Sequence, residues 1–111
     1  RARVLVAAPS NSAVDVISAR VIKQGGLEPW QFLRLYSFTR DPALAPDALR
    51  RFHQVPDHEG NFPFPALPDL LNRRVVACTL AMAAKLPLHG VPKGHFTHVC
   101  VDEPGHATEP E

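Results

Sequence analysis

Residues 4–15, VLVAAPSNSAVD, decide the fold that this sequence predicts. The unbroken apolar run at 4–8 ends at a proline, as is typical of a strand buried on both faces of a parallel sheet. Polar residues 10–12 then supply helix-capping side chains, and apolar residues recur at helical spacing over 13–23. A glycine pair at 25–26 ends the helix. Strand, polar turn and helix together predict the opening of a βαβ unit.

The rest of the chain continues this alternation. Further strands are expected at 32–36, 75–78 and 97–101, and short helices at 47–52, 67–72 and 81–86. Arg34 is placed on the other face of the second strand. Six of the 12 prolines lie in the irregular segment 42–68, within which 53–68 is expected to be an exposed loop. The order predicts an α/β fold with a mainly parallel sheet and ligand sites beyond the carboxyl ends of its strands.

Composition limits the class of protein. A chain of 111 residues with 45% apolar and 21% charged residues fits one small soluble domain, and excludes collagen, a coiled coil and a disulfide scaffold. The longest apolar stretch, 75–84, is half of the ~20 residues that a membrane span needs. Cys78 and Cys100 stand in apolar runs, which predicts buried free thiols and a reducing compartment. The chain begins without a methionine or signal peptide, which indicates a start within a longer protein.

The acidic pair Asp102-Glu103 follows the last predicted strand. The net charge of +1 is too small to predict nucleic-acid binding, but residues 102–111 contain four acids and no base. In P-loop NTPases a carboxylate at this place holds Mg²⁺ and a second one activates the attacking water. A solvated loop remains the alternative for such a pair.

Two further groups lie at predicted strand ends. The turn at residues 10–12 offers backbone N–H groups, hydroxyls and a positive helix end to a phosphate, or it is simply an N-cap. Thr79 can present its hydroxyl to a ligand, or it is an ordinary β-branched residue at a strand end. His95, His98 and Cys100 lack an established zinc spacing, which disfavours a metal site. Phe62 and Phe64 are expected to anchor a long loop, with a partner-binding strip as the alternative.

The order of three segments resembles a known family. Residues 4–15, 75–79 and 94–111 look like motifs Ia, Ic and II, the last at 99–106, of superfamily one RNA helicases, and most resemble the Moloney-leukaemia-virus-ten and Armitage type of the Upf-like branch. The resemblance implies that residues 1–111 are a fragment of the first RecA-like P-loop NTPase domain. It further implies 5′-to-3′ movement on single-stranded RNA driven by Mg²⁺-dependent ATP hydrolysis.

Functional roles follow from the resemblance for individual positions. Pro9, Ser10 and Asn11 match the motif that grips the RNA backbone, and Thr79 matches a second backbone contact. Asp102 matches the magnesium-binding acid. Such contacts fix position on RNA without reading its sequence.

Glu103 matches the catalytic glutamate of the same family. His106 stands where the family has a glutamine that couples the nucleotide site to other motifs, and Pro104 also departs from the pattern. No Gly-x-x-x-x-Gly-Lys-Ser/Thr motif is present, so the P-loop strand is expected upstream and the fragment alone is expected to be inactive.

Two alternatives remain for the function. One is a helicase-derived RNA-binding or scaffold protein without ATPase activity, and the other is a P-loop ATPase that is not a helicase. The helicase interpretation implies RNA, ATP and the remaining helicase domains as partners, with no membrane. It also implies a cytoplasmic location, including ribonucleoprotein granules, and a role in RNA silencing.

Overall fold

The computed structural model describes residues 2–102. Its strands are β1 Val4–Ala8, β2 Phe32–Arg34, β3 Val75–Thr79 and β4 His98–Val101. Its α-helices are α1 Asn11–Gly25, α2 Leu67–Leu71 and α3 Leu80–Lys85. Three 3₁₀ helices complete the secondary structure, at Pro42–Leu44, Asp47–Phe52 and Leu86–His89. The helix predicted at 47–52 therefore exists, but with 3₁₀ geometry.

The four strands form one all-parallel sheet in the order β2-β3-β1-β4. β1 lies in the interior and pairs with β3 on one side and β4 on the other, with Leu5 opposite Val76 and Val99. Apolar runs such as residues 4–8 suit this interior place because helices cover both sheet faces. The predicted α/β fold with a parallel sheet is confirmed.

Alternate residues of the central strands divide the core into two layers. Leu5 and Val76 pack with Met82 of α3 on one face of the sheet. Val6 and Ala77 pack with Val14 of α1 on the opposite face. The period-two alternation of a strand therefore delivers one apolar set to each helical layer.

The second strand ends two residues earlier than predicted. The Leu35 N–H still donates to Ala77 O over 2.8 Å, which continues the ladder beyond Arg34. At Tyr36, however, the side chain of Gln54 makes the backbone hydrogen bonds that a neighbouring strand would otherwise make. Its Oε1 accepts from the Tyr36 N–H at 2.8 Å, and its Nε2 donates to the Tyr36 carbonyl at 2.9 Å.

The segment 53–68 is not the exposed loop that its prolines predict. Phe62 is fully buried, with its ring 4.8 Å from that of Tyr36 and 5.3 Å from that of His53. Gln54 is also buried. The expected anchoring role of Phe62 is confirmed, because this ring fixes the irregular segment to the end of the sheet.

β4 forms an exposed edge of the sheet. Val99 and Val101 are 60% and 50% exposed, and Cys100 is exposed as well. The prediction that Cys100 is buried is therefore wrong, because within residues 2–102 β4 is an edge strand that pairs with β1 alone. Cys78, on the interior strand β3, is buried as predicted. Within residues 2–102, no helix has the length and apolar character that crossing a bilayer requires.

Candidate nucleic-acid interface

The sheet brings three of the predicted site groups to its carboxyl edge. Ala8 lies opposite Thr79 in the register of β1 and β3, so Pro9 and Thr79 leave neighbouring strands at the same level. On the other side of β1, the Asp102 N–H donates to Ala7 O over 2.8 Å. Adjacent strands lie about 4.8 Å apart, so these groups form one row across the edge. Glu103 and His106 lie outside the described residues.

Ser10 is the N-cap of α1. Its backbone is extended, with φ −127° and ψ 156°, and its Oγ accepts from the Ala13 N–H at 3.2 Å. The Ser12 hydroxyl lies 3.3 Å from that of Ser10, and both side chains are exposed. Because the first N–H groups of a helix lack partners within it, this exposed turn leaves donors for an anion. The capping interpretation is confirmed, and it is compatible with phosphate binding.

The side chain of Asn11 is held in place by a hydrogen bond from Arg34. Its Oδ1 accepts from the Arg34 Nη2 at 2.9 Å, and the same nitrogen lies 3.4 Å from the Asn11 carbonyl oxygen. This contact uses the acceptor of the Asn11 amide and leaves its NH₂ group to donate. The guanidinium therefore fixes the rotamer of a residue for which an RNA-backbone contact is predicted.

Arg34 belongs to a buried charge network that the sequence analysis did not find. Its Nε donates to Asp15 Oδ1 at 2.8 Å, and its Nη1 donates to Leu35 O at 2.9 Å. Arg40 donates to the other oxygen of Asp15 at 3.2 Å. Two guanidiniums thus share one carboxylate, which leaves an excess positive charge beneath the amino-terminal turn of α1. An arginine inside an apolar strand was the signal for a buried acid partner.

Tyr36 lies between the two guanidiniums. The Arg34 and Arg40 carbons Cζ lie 4.2 Å and 4.6 Å from the centre of its ring, within cation–π range. Burial raises the pKa of Tyr36 to about 12, although both arginines oppose the shift. Burial also lowers the pKa of Arg34, against the attraction of Asp15. The phenol of Tyr36 therefore stays neutral near neutral pH.

Thr79 caps α3 in the same way that Ser10 caps α1. Its Oγ1 accepts from the Met82 N–H at 3.2 Å, and its backbone is extended. The cap explains why α3 begins at Leu80, one residue before the predicted start. Thr79 is half-buried, so its hydroxyl is only partly open to a ligand.

Asp102 is the only member of the predicted acidic pair within the described residues, and it is exposed. A carboxylate oxygen at the end of a strand is a ligand type that Mg²⁺ accepts, usually with waters and substrate phosphates. The donor chemistry of Asp102 therefore fits a shared magnesium ion. Asp102 alone does not supply a complete set of protein ligands for a metal ion.

The histidines near β4 differ in their contacts. His98 Nδ1 lies 2.8 Å from the Thr97 hydroxyl, whereas His95 uses its backbone carbonyl to accept from Arg3 Nε at 2.9 Å and its ring Nε2 is buried without a hydrogen-bond partner among the described residues. Partial burial lowers the pKa of His95. Among residues 2–102, no group of three His, Cys, Asp or Glu side chains is placed to hold a metal ion.

Named helicases are similar to this chain over almost its whole length. It is 41% identical over 111 residues to the putative helicase mov-10-B.1 of Danio rerio, 34% identical over 109 residues to the RNA helicase Mov10l1 of Homo sapiens, and 30% identical over 125 residues to the probable RNA helicase armi of Drosophila melanogaster. These matches include 99%, 98% and 99% of the chain.

The chain spans only about a tenth of these relatives, at 11%, 8% and 10% of their respective lengths. No family model and no solved structure matches it. Identity at this level over nearly every residue nevertheless requires common descent with one segment of those proteins. As such a segment, the chain belongs to the family of Mov10- and Armitage-type RNA helicases.

Proposed function

We propose that this chain is part of the first RecA-like domain of an ATP-dependent RNA helicase that moves along single-stranded RNA. The row of polar groups at the carboxyl edge of the parallel sheet is the observation that carries this proposal. In open parallel sheets this edge is where ligands bind. The relatives named as RNA helicases support the same conclusion.

The RNA backbone is assigned to the turn after β1 and the start of α3. Ser10 and the amide NH₂ of Asn11 would donate to phosphate or sugar oxygens, and Thr79 would add a contact from the neighbouring strand. The positive end of α1 and the excess charge of the Arg34 and Arg40 pair favour an anion here. Pro9 is the first residue of this turn, directly after β1. None of these groups reads a base, which suits movement along any sequence.

The nucleotide site is assigned to the end of β4, at the other end of the row of polar groups from Thr79. Asp102 would hold the Mg²⁺ that accompanies ATP, and Glu103 would position the attacking water. The P-loop would come from another part of the whole protein, and its strand is proposed to cover the exposed edge of β4. This placement would pair the open edge of β4, where Val99 and Val101 are exposed. The 111 residues alone would then have no ATPase activity.

The role of Glu103 can be tested in the full-length protein. Glu103→Gln should abolish RNA-stimulated ATP hydrolysis while ATP binding persists, because the amide cannot accept a proton. Glu59→Gln changes an exposed glutamate of the irregular segment and serves as the matched control. Unchanged turnover in Glu103→Gln would disprove the catalytic role.

The second candidate function is an RNA-binding or scaffold protein without hydrolysis. Pro104 and His106 favour it, since both depart from the helicase pattern that the sequence otherwise follows. RNA binding by the full-length protein without RNA-stimulated ATPase activity would establish this candidate. If the His106→Gln variant then acquired ATP turnover, the loss of hydrolysis in the unmodified protein would be assigned to His106.

A cytoplasmic location and a role in RNA silencing are also proposed, on the basis of the relationship to the Mov10- and Armitage-type helicases.

A further inference from the structure

A concave pocket of about 330 Å³ lies beside the carboxyl edge of the sheet. It is formed by the turn after β2, the irregular segment and the end of α3. Its lining includes Tyr36, Phe38, Phe62, Phe64, Lys85 and His89. The volume lies at the small end of the roughly 300–1,000 Å³ range of ligand pockets.

The pocket adjoins the proposed RNA contact at Thr79. Met82 lines it, and the Met82 N–H is the group that the Thr79 hydroxyl caps. The turn after β2 emerges at the same edge, because Arg34 lies opposite Ala77 and the chain then runs past the level of Thr79. A strand of RNA held at Thr79 would therefore pass the mouth of this pocket.

The aromatic rings of the pocket fall into two groups. Tyr36 and Phe62 are fully buried and form its base, with ring centres 4.8 Å apart. Phe64 and His89 stack in parallel, with centres 4.0 Å apart and planes 7° apart. Phe38 is different, because it is 53% exposed although it belongs to the lining. About half of its surface is therefore free to contact a ligand.

The charge of Lys85 suits an anionic ligand. Lys85 is exposed in the last turn of α3, and the lining contains no carboxylate. Aromatic rings that stack bases, together with cations that contact phosphates, are the combination by which proteins hold single-stranded nucleic acid.

We propose that this pocket binds one unpaired base of single-stranded RNA, with Phe38 stacking on the base and Lys85 contacting an adjacent phosphate. The proposal rests on the proposed RNA-binding function and extends it from backbone contacts to a base. Stacking accepts any base, because each has a flat aromatic face. The pocket would therefore add affinity and hold the strand in place between steps, without sequence selection.

The test compares two probes on the full-length protein. One is an oligouridylate of about 20 nucleotides, longer than the ~4–16 nucleotides of typical single-strand sites, and the other is an abasic ribose-phosphate strand of equal length. Phe38→Ala should weaken binding of the oligouridylate by about fivefold or more and leave the abasic strand unaffected. Lys85→Gln should weaken both and reduce the salt dependence by about one phosphate contact.

Trp30→Ala is the matched control, since Trp30 is 66% exposed and lies before β2, outside the pocket. It should change neither affinity. The base site would be overturned if Phe38→Ala had the same RNA affinities as Trp30→Ala, or if Phe38→Ala lost as much affinity for the abasic strand as for the oligouridylate. Either result would leave the proposed function intact. If the unmodified protein binds neither probe, the proposed function fails and the base site fails with it.

Discussion

Asp15 and Arg34 form a buried ion pair that joins α1 to β2. The Arg34 Nε lies 2.8 Å from Asp15 Oδ1, and the two side chains are 0% and 9% exposed. The same guanidinium contacts Asn11 at the start of α1, so one residue connects the sheet, the helix and the candidate RNA-binding turn. The stability of the fold and the shape of the interface therefore depend on the same contact.

Replacement of Asp15 should destabilise the helical layer strongly. Asp15→Asn removes the only acid of the network and leaves Arg34 and Arg40 buried without a counter-charge. Loss of one partner of a buried pair typically costs about 3–5 kcal/mol. Amide hydrogen exchange of α1 and β2 in the full-length protein would measure the loss as a lower free energy of opening.

The control is Asp47→Asn, which breaks the pair with Arg50, a bond of 2.7 Å between side chains that are 90% and 75% exposed. Solvent screens that pair, so no measurable change is expected. Equal effects of the two substitutions would contradict a structural role for the buried network.

Gln54 should be essential for the end of β2. Its amide satisfies both backbone groups of Tyr36, which would be buried without partners in Gln54→Ala. Unsatisfied buried groups of this kind cost about 2 kcal/mol or more together. Increased proteolysis within the irregular segment would report the loss. Gln24→Ala, at an exposed position of α1, should leave the cleavage rate unchanged.

Alkaline pH should destabilise the fold. Burial raises the pKa of Cys78 and of Tyr36 to about 12, from ordinary values of 9.0 and 10.0. Because both groups hold their protons longer when folded, their contribution is complete below about pH 9 and is lost as the pH rises toward 12. Urea midpoints should therefore fall between pH 9 and 11.

The urea midpoint should fall less steeply with rising pH in Cys78→Ala, whatever the stability of this variant at neutral pH. Cys100→Ala changes an exposed thiol and should keep the slope of the unmodified protein. Identical slopes in all three proteins would show that the Cys78 proton does not contribute.

The sequence was sufficient to predict the parallel sheet and to bring three of the predicted site residues to its carboxyl edge. Apolar runs such as residues 4–8 and 75–78 have one stable place, the interior of a covered parallel sheet, and parallel strands bring their carboxyl ends to one edge. Ser10, Thr79 and Asp102 could therefore be placed together without a structure. The N-cap at Ser10 also follows from local residue types, since a cap needs only the next few residues.

Other features depend on contacts between distant parts of the chain. Asp15 and Arg34 are 19 residues apart, and Gln54 and Tyr36 are 18 apart, so no local pattern predicts either pair. The exposure of Cys100 depends on strand order, because the same apolar sequence would be buried in an interior strand. Strand order is decided by the packing of the whole sheet.

The last prediction separates capping from RNA binding at Ser10. Ser10→Asp retains a good N-cap and places a negative charge at the positive end of α1, so the helix should be at least as stable. The same charge should repel a phosphate and weaken RNA binding. Ser10→Ala should instead cost about 1 kcal/mol of helix stability, with a smaller effect on RNA. Hydrogen exchange and RNA titration on the full-length protein would measure the two effects separately.

Ala19→Asp supplies the control charge. It lies exposed on the same helix nine residues further on, about 13 Å along the axis and beyond the screening length of about 8 Å at physiological salt. It should leave RNA affinity unchanged. If Ser10→Asp bound RNA as well as the unmodified protein, Ser10 would be a cap alone, and the phosphate would have to be assigned to another part of the edge. If Ser10→Asp is the more stable of the two Ser10 variants but binds RNA more weakly than Ser10→Ala, capping alone cannot explain the result.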